Sequence, residues 1–194
     1  MALQQDHATD GQEPTEILEH EHEVVGRVTD AMRIEAQRIR DGAVIDEPRL
    51  QSMVDFARSF TDGCHHAKEE KVLFVRLRQR SPAAQAPVSV MLSEHEQGRR
   101  LVAAIDEATK PAAAGDDAAR DTLAASLSGY ADLLDAHIQK ENSVLFPLAR
   151  RVFTREDRIW LTSEFERVEE EETGAGVHEK YHALAHQLAQ TSSR

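Results

Sequence analysis

The chain has 194 residues, 40% of them hydrophobic and 5% aromatic, and a formal charge of −12. That length suits one domain with a sizeable core, or a bundle with an appendage, and the acidic balance argues against nucleic acid or an anionic membrane as a partner. No apolar run reaches the roughly 18 residues that a bilayer span needs. The one cysteine, Cys64, excludes an internal disulfide and fits a reducing compartment, so the cytoplasm is the expected location.

Residues 1–13 (MALQQDHATDGQE) are polar, lack the apolar stretch of a signal peptide and are expected to be disordered. Pro14 suits a first helical turn, with Glu13 and Glu16 placed to complement the helix dipole. Ile17, Leu18, Val24, Val25, Val28, Met32 and Ile39 recur at helical spacing and predict a first helix to about residue 40, stopped by Asp41-Gly42. A second helix is predicted over about 49–80, through Met53, Phe56, Phe60, Val72, Leu73 and Leu77. The stretch Ser81-Pro82-Ala83-Ala84-Gln85-Ala86-Pro87 breaks the chain, a third helix covers about 88–109, and residues 110–115 read as a linker. A fourth helix runs over about 116–151, where Pro147 is expected to kink or close it. Two more helices, about 156–172 and 177–189, flank Thr173-Gly174-Ala175-Gly176. Val and Ile never alternate as a strand requires. The expected fold is all-α: an antiparallel up-and-down four-helix bundle over residues 14–151, followed by a two-helix carboxyl-terminal cap over 152–194.

Chemistry concentrates in a repeated motif. His65 to Val75 and His137 to Pro147 both begin H-x-x-K-E-x-x-V-L-F. Residues four apart share a helix face, so each copy aims an imidazole (His65, His137) and a carboxylate (Glu69, Glu141) the same way. His22 in Glu21-His22-Glu23 and His95 in Glu94-His95-Glu96 precede those copies by 43 and 42 positions. The chain is thus an imperfect tandem repeat, each half a hairpin offering one His and then an H-x-x-x-E pair. If bundle directions alternate, four imidazoles and two carboxylates meet in the interior. Charge buried in that way is costly unless a cation compensates it.

With those motifs in view, residues 15–150 resemble the hemerythrin family, in the subset called HHE cation-binding domains. The resemblance implies a non-haem centre of two iron ions, of the oxo-bridged type. His22, His65, His95 and His137 would be terminal ligands, with Glu69 and Glu141 bridging. Manganese or zinc also accept such donors, though zinc more often takes four ligands. Oxygen-carrying members have a fifth histidine one turn after the third-helix His, and this sequence has Arg99 there. By ligand counting that leaves an open position on each iron, which favours redox turnover or diatomic-gas chemistry over reversible oxygen carriage. The expected small-molecule partner is therefore O2, H2O2 or NO, with peroxide and oxidative-stress chemistry favoured. The alternatives are a module that senses or stores iron, oxygen or NO, and a di-iron protein of iron–sulfur cluster repair. Members of that last group usually carry an amino-terminal segment with paired cysteines, which this sequence lacks. Enzyme and binder remain open, and a redox or regulatory protein partner is compatible with both.

Plainer readings compete at single residues. His20 and His66 neighbour ligands but sit well round the helix from them, His66 by about 100°, so a surface or supporting role is expected. Glu70 reads as a solvated partner of Lys68 or Arg78, and Tyr130 as a core residue. Asp62 is a candidate hydrogen-bond acceptor for His65, and Cys64 a packed thiol. His178-Glu179-Lys180-Tyr181-His182 matches H-E-x-x-H, the zinc-protease pattern, but no third ligand or substrate cleft accompanies it.

Overall fold

A computed structural model of the chain describes residues 13–172, 174 and 177–191. The expected disorder of residues 1–12 and most of the 173–176 turn lie outside the described residues. Among the described residues every regular element is helical, and no strand occurs.

The first helix, α1 (Pro14–Arg40), opens on Pro14 and closes at Asp41, whose N–H reaches Gln37 O. Gly42 at φ 87° then turns the chain in the left-handed region that favours glycine. α2 (Glu47–Phe56) is capped by Asp46, whose side chain accepts from the Arg49 N–H at 3.1 Å. The helix does not stop at Phe56. It continues through two wide, π-type turns, Ala57–His66 and Glu69–Leu73, into α3 (Phe74–Arg80). α4 (Gln85–Ala113) and α5 (Asp117–Lys140) follow, and a third wide turn, Glu141–Leu145, leads into α6 (Phe146–Val152). That turn lies just ahead of Pro147, which cannot donate to the carbonyl one turn back and whose ring crowds it. The matching turn Glu69–Leu73 precedes Val75, so the turn does not depend on the proline, and the chain stays helical through Pro147 to Val152 instead of closing there.

Both ends of α4 differ from expectation, and it begins at Gln85, inside the stretch expected to break the chain. α4 runs through Pro111 to Ala113 instead of ending near Thr109. Proline in a last turn forfeits one hydrogen bond, and the stop comes from Gly115 at φ 95°, with Asp116 N donating to Pro111 O at 3.1 Å.

Core residues fall into two apolar clusters. One gathers Val28, Met32 and Ile39 of α1, Met53 and Phe56 of α2, Phe60, Val102 and Ile105 of α4, and Leu127 and Leu134 of α5. The other gathers Leu18 of α1, Leu73, Phe74 and Leu77, Val88 and Met91 of α4, and Leu145 and Phe146. His22, His65, His95 and His137 each fall, along their own helices, between residues of one cluster and residues of the other. A polar layer therefore divides the core.

The last two helices, α7 (Arg155–Glu172) and α8 (Val177–Thr191), complete one cluster each. Leu161, Phe165 and Val168 of α7 join the second, whereas Tyr181, Ala185 and Leu188 of α8 join the first. α5 packs against α1 and α4, and α8 against α1 and α2. No helix among the described residues is long and apolar enough to cross a membrane.

Candidate metal centre

All six residues singled out by the repeat converge in the polar layer, and each is buried. Glu69 spans two imidazoles, with Oε1 at 3.5 Å from His65 Nε2 and Oε2 at 3.4 Å from His95 Nε2. Glu141 Oε2 lies 3.2 Å from His22 Nε2 and 3.4 Å from His137 Nε2. Ligand atoms of His22, His65, Glu69 and Glu141 fall within 4.8 Å of one another. A second group at the same separation contains Glu69, His95, His137 and, beyond expectation, His66.

The other ring nitrogen of every ligand histidine is held from behind. His65 Nδ1 meets Glu21 Oε2 and His137 Nδ1 meets Glu94 Oε2, both at 2.9 Å. His95 Nδ1 lies 2.7 Å from Glu70 Oε1, and His22 Nδ1 lies 3.0 Å from Asn142 Oδ1. An oxygen acceptor fixes the proton on Nδ1 and turns the Nε2 lone pair inward. The repeated motif thereby acquires a role at nearly every position. Lys68 pairs with Glu21 and Lys140 with Glu94, clamping the carboxylate that orients the neighbouring histidine. The residue after each bridging-position glutamate, Glu70 or Asn142, holds the histidine of the other hairpin. The phenylalanine of each tail stacks near that same ring: Phe146 on His22 at 5.5 Å and 4°, Phe74 on His95 at 5.9 Å and 22°.

Electrostatics inside the layer are unbalanced without a cation. Both oxygens of Glu69, both of Glu141, and His22 Nε2 are buried without a hydrogen-bond partner. Leaving a buried carboxylate so exposed to its own desolvation costs several kcal/mol. His95 Nε2 and His137 Nε2 face each other at 3.1 Å. With both protons on Nδ1, two lone pairs meet there, and something positive must lie between them. Burial disfavours charge on His95, but Glu69 and Glu70 outweigh it and raise its pKa to about 9. Burial likewise opposes charge on His65 and His137, yet the carboxylates lift both above the ordinary imidazole value. Glu141, despite its burial, is held well below the carboxylate range by His137 and His22. At these four residues the shifts favour positive charge in the pocket, whereas burial and the neighbouring imidazole of His95 hold the pKa of His66 well below the ordinary value. Imidazole nitrogens and carboxylate oxygens are the donors that bind iron, manganese or zinc, so the residues fit a metal.

The comparisons with known proteins agree. The model of the hemerythrin HHE cation binding domain matches residues 13–149. The chain belongs to that family. An uncharacterized protein of Mycobacterium tuberculosis is 32% identical over 139 residues, 72% of this chain and 54% of that one. The iron-sulfur cluster repair protein YtfE of Salmonella typhimurium is 38% identical over 89 residues, 44% of this chain and 40% of YtfE, and that of Escherichia coli O1:K1 / APEC is 37% identical over 89 residues. This hemerythrin-family chain thus spans about half, or less, of the length of the curated relatives it matches. No solved structure matches it.

Several neighbours of the centre depart from their plain readings. Glu70 is no solvated partner of Lys68 or Arg78: it accepts from His95 and from Arg99 Nη2, each at 2.7 Å. Asp62 serves His66 rather than His65, and is also gripped by Arg99 Nε at 2.9 and 3.1 Å. His66 is buried, not at the surface. In a π-type turn successive residues subtend less than the 100° of an α-helix, so His65 and His66 both face inward. A run of ten residues in that geometry has no signature in hydrophobic spacing, and for that reason the sequence hid His66. Other readings hold. His20 is exposed, Cys64 is a packed thiol whose pKa burial lifts to about 12, and Tyr130 is buried. Of the H-E-x-x-H pattern, His182 stands edge-on to Phe60, 5.9 Å between centroids, whereas the side chain of His178 lies outside the described residues.

Proposed function

We propose that this protein is a non-haem di-iron member of the hemerythrin family that reacts with O2, H2O2 or NO, with peroxide turnover the favoured chemistry. The observation that carries the reading is the pair of partnerless buried carboxylates, Glu69 and Glu141, ringed by inward-turned imidazoles. In it, His22, His65, His95 and His137 are the terminal ligands, and Glu69 and Glu141 span two iron ions in an antiparallel up-and-down four-helix bundle. Support for the bundle direction comes from the clusters: α1 and α4 pass from the second to the first, and the helices carrying His65 and His137 pass back. The cytoplasm, a reducing compartment, is the matching location.

Bound iron supplies the redox chemistry. The chain's own residues hold Nε2 lone pairs inward through Glu21, Glu70, Glu94 and Asn142, hold the Glu141 carboxyl well below its ordinary range, and dry the layer with an apolar cluster on either side. A cavity of about 210 Å³ lined by Asp62, His66, His95, Arg99 and Tyr130 lies against the His95 side of the layer.

The test is peroxide disproportionation by iron-loaded protein against His137→Ala. A rate that falls at least tenfold in the variant supports the reading, and equal rates remove it. A second reading, iron handling in iron–sulfur cluster repair, draws on the 38% identity to YtfE. It expects iron loss to an apo iron–sulfur acceptor with little peroxide turnover.

A further inference from the structure

The internal repeat that builds the centre fails at one place. His66 stands where the second hairpin has Ile138, Asp62 where it has Leu134, and Arg99 where the first hairpin has Gly26. An apolar or absent side chain has become a polar one at all three positions. The three also touch: His66 Nδ1 lies 3.3 Å from Asp62 Oδ1, and Arg99 Nε donates to Asp62 at 2.9 Å. Linked departures of this kind mark a device added to one half of a symmetrical site.

His66 has the same build as the four ligand imidazoles. Its Nδ1 is held by an outer side-chain oxygen, that of Asp62, as theirs are held by Glu21, Glu70, Glu94 and Asn142. Its ring is buried and stacked on His95, 3.8 Å between centroids at 14°. One of its nitrogens lies within 4.8 Å of ligand atoms of Glu69, His95 and His137 together. The charge of Asp62 is matched by Arg99, so the addition brings a neutral donor and no uncompensated anion.

We propose that His66 is a fifth imidazole ligand, serving the metal subsite of Glu69, His95 and His137 only. The assignment rests on the di-iron reading above. It makes the centre unequal, with His66, His95 and His137 on one metal and His22 and His65 on the other. Counting donors, the first metal loses the open position that four histidines leave on it, and small ligands are confined to the His22–His65 side. Asp62 is then a positioning residue for His66, and Arg99 holds Asp62.

The full chain, reconstituted with 57Fe, decides this by Mössbauer spectroscopy, with iron content and circular dichroism as controls. Wild type is expected to give two distinct doublets of equal area. In His66→Ala the doublet of the His95 metal moves, and free imidazole added to the variant returns it towards the wild-type position. Should His66→Ala lose its fold, Asp62→Asn keeps the imidazole and weakens its hold: a shift of one doublet supports the assignment, and no shift overturns it. A folded His66→Ala with unchanged iron content and an unchanged spectrum also overturns it, leaving the six-residue centre intact. A wild-type chain that takes up no iron overturns both that centre and the role of His66.

Discussion

Glu94 lies between His137 and Lys140, and Glu21 between His65 and Lys68; neither glutamate faces the proposed metals, yet both govern the imidazoles that do. Replacing Lys140 by Met removes the clamp and leaves Glu94 free to swing away from His137. Substitutions one step behind a metal ligand cost about 10–100-fold in affinity; Lys140 acts one step further out, through Glu94, so a loss of about tenfold, the low end of that range, is expected in a competition titration against a chelator. Unaltered affinity would make Lys140 a surface ion pair only. The six ligand candidates were legible because helical spacing puts His and Glu four apart on one face and the repeat shows the pair twice. The lysine was visible in both copies as well, but its purpose depends on the glutamate of an adjacent helix, which spacing within one helix cannot supply. The burial of His66 was hidden for a different reason: it follows a wide turn, while the reading assumed 100° per residue.

The elements were legible to within a few residues wherever apolar periodicity and a cap coincide, as at Pro14 and Gly42. Docking of the carboxyl-terminal helices was not, because their apolar residues do not say which cluster they join and the polar contacts that fix α7 are made to other helices. Lys68, fully buried, reaches Glu169 of α7 as well as Glu21. At the other end of α7, Thr154 and Asp157 cap each other reciprocally, and Asp157 takes Arg76 and Arg80, each at 2.7 Å. Burial opposes ionisation of Asp157, but those hydrogen bonds outweigh it and hold its pKa at about 2. A carboxyl whose folded pKa is depressed contributes stability above its unfolded value, near 4, and loses it as pH falls through the folded value. The grip on α7 is therefore complete above about pH 4 and lost progressively down to about pH 2. Trp160, the one tryptophan, sits on α7 with Arg76 5.0 Å from its ring centroid and reports the change. Its emission is expected to change across that window, and Asp157→Asn to show the change already at neutral pH. An Asp157→Asn emission spectrum identical to wild type at pH 7 would detach α7 docking from this carboxylate.

For the whole molecule, the controlling feature is a charged layer set between two apolar clusters. Sequence alone indicated that a half-dozen donors would share a height in the bundle. It did not indicate that α7 and α8 would finish one cluster each, since their apolar residues fit a surface helix equally well. Such a layer ties folding to metal. Binding at a thousandfold excess over the dissociation constant adds about 4 kcal/mol, and for a chain of this size each kcal/mol moves the melting temperature by about 2–4 °C. Chelation is therefore expected to lower the melting temperature by on the order of 10 °C, read by circular dichroism; a transition indifferent to chelator would mean that the layer balances its charge by protons alone. The most direct measurement is the iron-to-chain ratio of anaerobically reconstituted, desalted protein. Two irons per wild-type chain, falling in His137→Ala, is the expected result, and a folded wild-type chain that retains none contradicts the metal centre outright.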